Sequence, residues 1–400
     1  MTLHHVLDSN AGAPGVTMRL AEAFRALGHE ATVVSYDSLP AAPPRIRNVA
    51  FPWWLAGCLA RSCAGRPIDV IDASTGDAAV FGMLRRAGIV GAVRPLLVTR
   101  SHGLEHLARD ALMREVAAGY ERLSWRYPLY WGGWRLREVA TSICHADVVF
   151  VLNGDEKSYV CARLGVPEKR VRVVANGVED AVLEAGSQIV AGEASPEVGI
   201  AHVGSFIGRK GIRYLVPALH DVLRSHRHVR VGLFGTGTSE QTVREAFAGD
   251  VQDRLAVVER FGRASLPEML RPYQIGVSAS LFEGFPGALL EMMACSMAPV
   301  ATALAGSVEV LGDVQNGLVV PPGDASALAD ALNLLIRNPR LLRQVRSNAV
   351  ERAQRFSWTR VAEQQIAQYR AGLSRRASGS SWPPLMRAPR DTGVGVSDGK

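Results

Sequence analysis

From residue 3 to residue 302, short runs rich in β-branched residues alternate with longer stretches of helical period. No other feature of the chain restricts its fold as much. The pattern predicts strands at 3–6, 31–35, 69–71, 96–99, 148–151 and 171–174, and again at 199–203, 229–234, 255–258, 275–278 and 300–302. Between them lie amphipathic segments such as 15–27, where Met18, Leu20, Ala21, Phe24 and Leu27 fall on one face. Continuous apolar strands separated by helices imply parallel sheets covered on both sides. The alternation loosens after Asn176-Gly177, through 181–198, and then restarts. Two doubly wound α/β domains are therefore expected, 1–180 and 199–355, with a final helix at 357–372 returning to the first. Four hundred residues also exceed what one core normally serves. The Ser-, Gly-, Pro- and Arg-containing segment 374–400 has no period and is expected to be disordered.

Composition narrows the function. Hydrophobic residues make up 48% and charged residues 21%, a globular balance. The net charge is +7, but five basic and two acidic groups sit in 374–400 alone. The basicity is local, and nucleic acid is not an expected partner. Five sparse cysteines form no metal-ligand spacing, so neither a metal nor another cofactor is expected, and the compartment reads as reducing. Neither a signal peptide nor an eighteen-residue apolar run is evident. A cytoplasmic protein is the expectation, with room for contact at the inner membrane face.

In doubly wound sheets, ligands bind beyond the carboxyl ends of the strands. The richest such segment is 278–302, SASLFEGFPGALLEMMACSMAPVAT. A strand ends near Ser280, a Gly/Pro loop follows, and a helix starts near Gly287. The helix is apolar nearly all round, yet Glu291 lies within it. A buried carboxylate must be satisfied, either by a ligand's hydroxyl pair or by a neighbouring loop. The free amides at the helix start suit phosphate.

Glu283 and Glu291, separated by seven residues in EGFPGALLEMMACSMAPVAT, resemble the signature of the retaining family 4 glycosyltransferases. Further matches run in order: Asn176-Gly-Val178, His202-Val-Gly-Ser-Phe-Ile-Gly-Arg-Lys-Gly211, Phe234-Gly-Thr-Gly237, Asn316 to Asp324, and Phe356-Ser-Trp358. The resemblance implies the GT-B fold, two Rossmann-like domains facing a central cleft. It implies transfer of a hexose-type sugar from a nucleotide diphosphate sugar to an acceptor hydroxyl, in a saccharide, a lipid-linked molecule or a small molecule. Glu291 would accept the ribose hydroxyls, and Glu283 would lie beside the transferred sugar. The backbone of Phe285, Pro286, Gly287, Ala288 and Leu289 would hold sugar hydroxyls and phosphate. Lys210, in the loop with Gly204, would neutralise the diphosphate without a metal. Where the family carries Gly-Arg, this chain has Gly204-Ser205, leaving Arg209 to stand in.

In the first half, Gly12 and Gly15 lie in a loop that resembles the family's first phosphate-side turn. His102, just after a strand, matches a His-Gly that contacts the donor sugar and is a catalytic candidate with Glu283 and Lys210; a loop histidine is the bland alternative. Arg100, Glu105 and His106 are candidate acceptor groups or structural polar residues. Residues 122–137 hold four arginines, five aromatics and no acid. They fit packing over the domain, contact with an anionic bilayer, or a polyanion. A non-catalytic nucleotide-sugar binding protein and a GT-B epimerase share the architecture. A nicotinamide enzyme would need GxGxxG, which Gly12 and Gly15 do not complete.

Overall fold

Two parallel six-stranded sheets organise the chain in the computed structural model, which describes residues 1–40, 43–65, 67–90, 95–189 and 197–377. The first contains β1 (Thr2–Leu3), β2 (Val34–Ser35), β3 (Val70–Ser74), β4 (Leu96–Arg100), β5 (Val148–Val151) and β6 (Val171–Val173), in the order β2-β1-β3-β4-β5-β6. The second contains β7 (Val198–Val203), β8 (Val229–Phe234), β9 (Leu255–Val258), β10 (Ile275–Ser278), β11 (Ala298–Thr302) and β12 (Leu318–Val320), in the order β12-β11-β10-β7-β8-β9. Each order reverses once, between β1 and β3 and between β7 and β10. Beyond those strand ends the sheet opens a crevice for a ligand.

Strands β5 and β10 fall where the apolar runs predict. β1 is shorter than the apolar run suggests, because the chain turns out of the sheet at His4, whose Nδ1 lies 2.7 Å from Asp77 Oδ1. Of the stretch expected to be an irregular boundary, the first part forms the Asp180–Ile189 helix, and 190–196 lie outside the described residues. The helix's Val182 and Leu183 belong to the second half's core. A Cβ at Gly186 would stand 1.6 Å from the Ala294 carbonyl oxygen, so the glycine there reflects a close helix contact rather than a linker.

The chain returns to the first sheet through its final helix, Trp358–Ala377, whose Trp358, Val361, Ala362 and Tyr369 pack against β4, β5 and the Gly12–Ala26 helix. A buried polar cluster fixes that helix in place. Arg100, 2% exposed, donates to both carboxylate oxygens of Asp72, to Gln365 Oε1 at 2.7 Å and to the Tyr369 hydroxyl at 3.2 Å. Tyr369 donates to Asp72 in turn. Removing one member of such a buried pair costs about 3–5 kcal/mol, because the other charge is left unpaired. Residues 374–377, expected in the tail, continue this helix. Positions 378–400 of the expected disordered tail lie outside the described residues.

Candidate active site

Beyond β7 the chain turns through Gly204 and a short 3-10 turn, Gly208–Lys210, into the Ile212–Ser225 helix. Gly211 caps that helix at φ 71°, and a Cβ there would lie 1.8 Å from the Ala279 carbonyl oxygen. Only glycine allows the loop to lie this close to the end of β10. The Leu281 amide donates to the Arg209 carbonyl at 2.9 Å and ties the two loops together.

This junction brings Lys210 to Glu283. The ammonium donates to Glu283 Oε1, which also accepts from the Ser280 hydroxyl at 2.8 Å. Arg209 Nη1 stands 3.8 Å from Glu283 Oε2. Lys210 is 17% exposed at its side chain and Arg209 50%, so Arg209 reaches the site from solvent. Ser205 is exposed, and Arg209 supplies the second cation there.

The Gly287–Ala294 helix follows with no side-chain cap at its start. Leu289 is buried, and Phe285 and Ala288 pack against the same core cluster. A ligand at this turn would therefore meet backbone rather than these side chains. Glu291 is buried as expected, but its partner is a neighbouring loop: Arg263, just beyond β9, donates to Glu291 Oε1. Burial pushes the Arg263 guanidinium below its ordinary range, and Arg19 pushes it the same way. Arg263 was not among the residues expected from sequence, although an arginine shortly after a strand end was the available signal.

The first half meets this loop at several points. Asn153 Nδ2 donates to the Gly284 carbonyl at 2.7 Å, and a Cβ on Gly284 would lie 2.5 Å from Gly103 Cα. The Arg263 amide donates to Asn10 Oδ1 at 3.3 Å, just before the Gly12–Ala26 helix; Gly12 and Gly15, expected in the loop, are the first and fourth residues of that helix, because it begins earlier than its apolar face suggests. Buried Glu156 accepts from the Leu104 and Leu152 amides at 2.8 and 2.9 Å, which fixes the loop carrying His102.

His102 Nε2 lies 3.0 Å from Ser74 Oγ, and that hydroxyl donates its one hydrogen to the Thr2 carbonyl at 2.9 Å. His102 must then donate from Nε2, leaving Nδ1 as an acceptor. Burial, reinforced by Arg100, lowers its pKa to about 3, so the ring is neutral near pH 7.

The three acceptor candidates separate. Arg100 belongs to the buried cluster with Asp72, which fits the structural one of its two sequence readings. His106 is buried with its ring 5.3 Å from Tyr159, a packing position. Glu105 accepts from the Thr75 hydroxyl at 2.8 Å and from Arg135 at 3.2 Å, and lines a cavity of about 300 Å³.

Residues 11–182 match the family model described as Glycosyltransferase Family 4, and residues 197–338 match that described as Glycosyl transferases group 1. The two halves thus match two glycosyltransferase models in succession, the pattern of a family 4-like protein, and the fold is GT-B. It is 28% identical to alpha-maltose-1-phosphate synthase of Mycolicibacterium smegmatis over 71% of this chain and 76% of that protein. It is 31% identical to the phosphatidyl-myo-inositol mannosyltransferase of Mycobacterium leprae over 40% of this chain and 43% of that protein. In fold it is similar to sucrose-phosphate synthase from Thermosynechococcus elongatus, at a TM-score of 0.70 and 21% identity over 93% of this chain and 96% of that one. Anabaena HepE in complex with UDP-glucose is similar at 0.63 and 19% identity, over 92% and 99%.

Proposed function

We propose that the chain transfers a hexose from a nucleotide diphosphate sugar to an acceptor hydroxyl, with retention at the anomeric carbon and without a metal. The observation that carries this reading is the cationic junction of Lys210 and Arg209 on Glu283, beside an uncapped helix start. Those groups can neutralise a diphosphate as it leaves. The UDP-glucose complex of the HepE neighbour supports a nucleotide-sugar donor.

In this reading the donor diphosphate draws Lys210 from Glu283, which turns to the sugar hydroxyls. Its ribose displaces Arg263 from Glu291. The bond from the anomeric carbon to the phosphate oxygen breaks, the acceptor oxygen bonds to that carbon from the same face, and its proton passes to the departing phosphate. Neutral His102 accepts a sugar hydroxyl at Nδ1. The protein's part is positioning and charge stabilisation.

Peripheral membrane contact through 122–137 belongs to the same proposal. Trp125 is 75% exposed, Leu129 66% and Trp131 54%, beside exposed Arg122, Arg126 and Arg137. Aromatics and arginines together suit an anionic bilayer surface. No helix among the described residues is long and apolar enough to cross a membrane.

A panel of nucleotide sugars tests the donor reading through thermal shift and nucleoside diphosphate release. One donor should stabilise the protein and be consumed, EDTA should leave the rate unchanged, and NMR of the product should show the donor's anomeric configuration. Inversion, or no response to any donor, would refute it.

A further inference from the structure

The cavity of about 300 Å³ lies between the Glu105–Ala117 helix, the 122–137 segment and the loop after β10. Its walls are the Ala108, Ala111 and Leu112 side of that helix, with Tyr127 and Trp131 opposite and Leu281 and Phe282 toward Glu283. Arg209 also lines it, so the cavity reaches the cationic junction. The size is that of a small-molecule site.

One polar group in the lining stands apart. Arg135, buried, holds Glu105 Oε1 at 3.2 Å and reaches His4 Nε2 at 3.0 Å. Glu105 Oε2 is shielded from solvent and has no hydrogen-bond partner among the described residues. A buried carboxylate oxygen without a donor is costly, and a turn of the Glu105 side chain, itself 24% exposed, would bring Oε2 into the cavity, where a ligand hydroxyl would satisfy it. The cavity surface is otherwise mainly carbon. Trp131 both lines the cavity and stands 54% exposed, so the apolar lining continues onto the surface formed by Trp125 and Leu129.

We infer that this cavity is the acceptor subsite and that it takes an amphiphilic alcohol, whose hydroxyl donates to Glu105 Oε2 and whose apolar body lies along Leu112 and Trp131. The inference rests on the glycosyltransferase reading, since it deepens the acceptor side of that site. A wholly polar saccharide would leave the Ala108, Leu112 and Trp131 surface uncompensated, whereas an apolar body buries it.

Calorimetry on the full chain tests this without a donor. The probes are n-octyl β-D-glucoside below its micelle concentration and methyl β-D-glucoside. The octyl compound should bind at least tenfold more tightly. Leu112→Lys should weaken it tenfold or more, and Glu105→Gln should weaken both probes. Ala108→Trp, which fills the cavity, replaces Leu112→Lys if that variant melts early. Equal binding of the two probes overturns the inference, as does octyl binding that survives both cavity variants. A second arm compares octyl glucoside free and in phosphatidylglycerol vesicles: a vesicle gain assigns a bilayer source, and no gain assigns a dissolved amphiphile, the cavity's chemistry standing in either case. Thermal shift by nucleoside diphosphates is measured on the same samples. Its absence sinks the donor reading alone, so the two failures are distinguishable.

Discussion

In the proposed reading, Lys210→Ala removes the cation that would meet a leaving diphosphate. At about 4 Å, two unit charges interact by roughly 1 kcal/mol in water and about 4 kcal/mol at an effective dielectric near 20. The Lys210 side chain is 17% exposed, which favours the second environment. Loss of one preorganised donor to developing charge typically costs about 2.7–4 kcal/mol, or about 10²–10³ in kcat. Arg209, 3.8 Å from Glu283, offers partial replacement, so the single variant should sit near the lower end. Adding Arg209→Ala should deepen the loss. Glu283 keeps its bond from Ser280 in either variant, so the fold should hold, with a melting temperature lowered by only a few degrees. The assay is nucleoside diphosphate release with the identified donor, read as kcat and KM separately. A double variant with kcat within threefold of the parent would refute the electrostatic role.

Other outcomes follow from the same geometry. Glu291→Gln should raise the donor KM about tenfold or more with a smaller change in kcat, as expected when binding common to ground and transition states is lost. Gly211→Ala should lower the melting temperature sharply, since φ is 71° and the new Cβ would meet the Ala279 carbonyl at 1.8 Å; a left-handed residue alone costs about 1–3 kcal/mol. Acid should weaken the fold through its buried neutral histidines. His102 titrates at about 3 and His202 at about 4, both below the ordinary 6.5, chiefly by burial. Between pH 6.5 and those values the unfolded chain binds protons that the folded chain refuses, so stability falls as pH falls, by up to about 1.4 kcal/mol per pH unit for each histidine. Urea midpoints across roughly pH 4–7 should show this slope, and His202→Asn should flatten it.

Much of the fold is legible in the chain because a parallel strand covered on both faces must be a continuous apolar run, as β5 is. The Asp180–Ile189 helix was missed because it is short and carries a glycine, Gly186, where it presses against Ala294, and glycine in a helix argues against one in sequence. Glu291 was visible because a carboxylate in an apolar helix is unusual in sequence, whereas Glu283 and Lys210 were picked out by the family resemblance.

The sequence by itself determined two doubly wound halves, the segment that carries the acidic pair and the need to satisfy Glu291. Only the tertiary structure decided what satisfies it. Arg263 comes from a different strand end, and Lys210 reaches Glu283 across 73 positions. Arg100 shows the same limit: its place after a strand suggested a ligand, but Asp72 and Tyr369 close around it. Strand periodicity is a property of neighbouring residues, whereas charge pairing and cavity walls depend on which distant loops the sheets bring together.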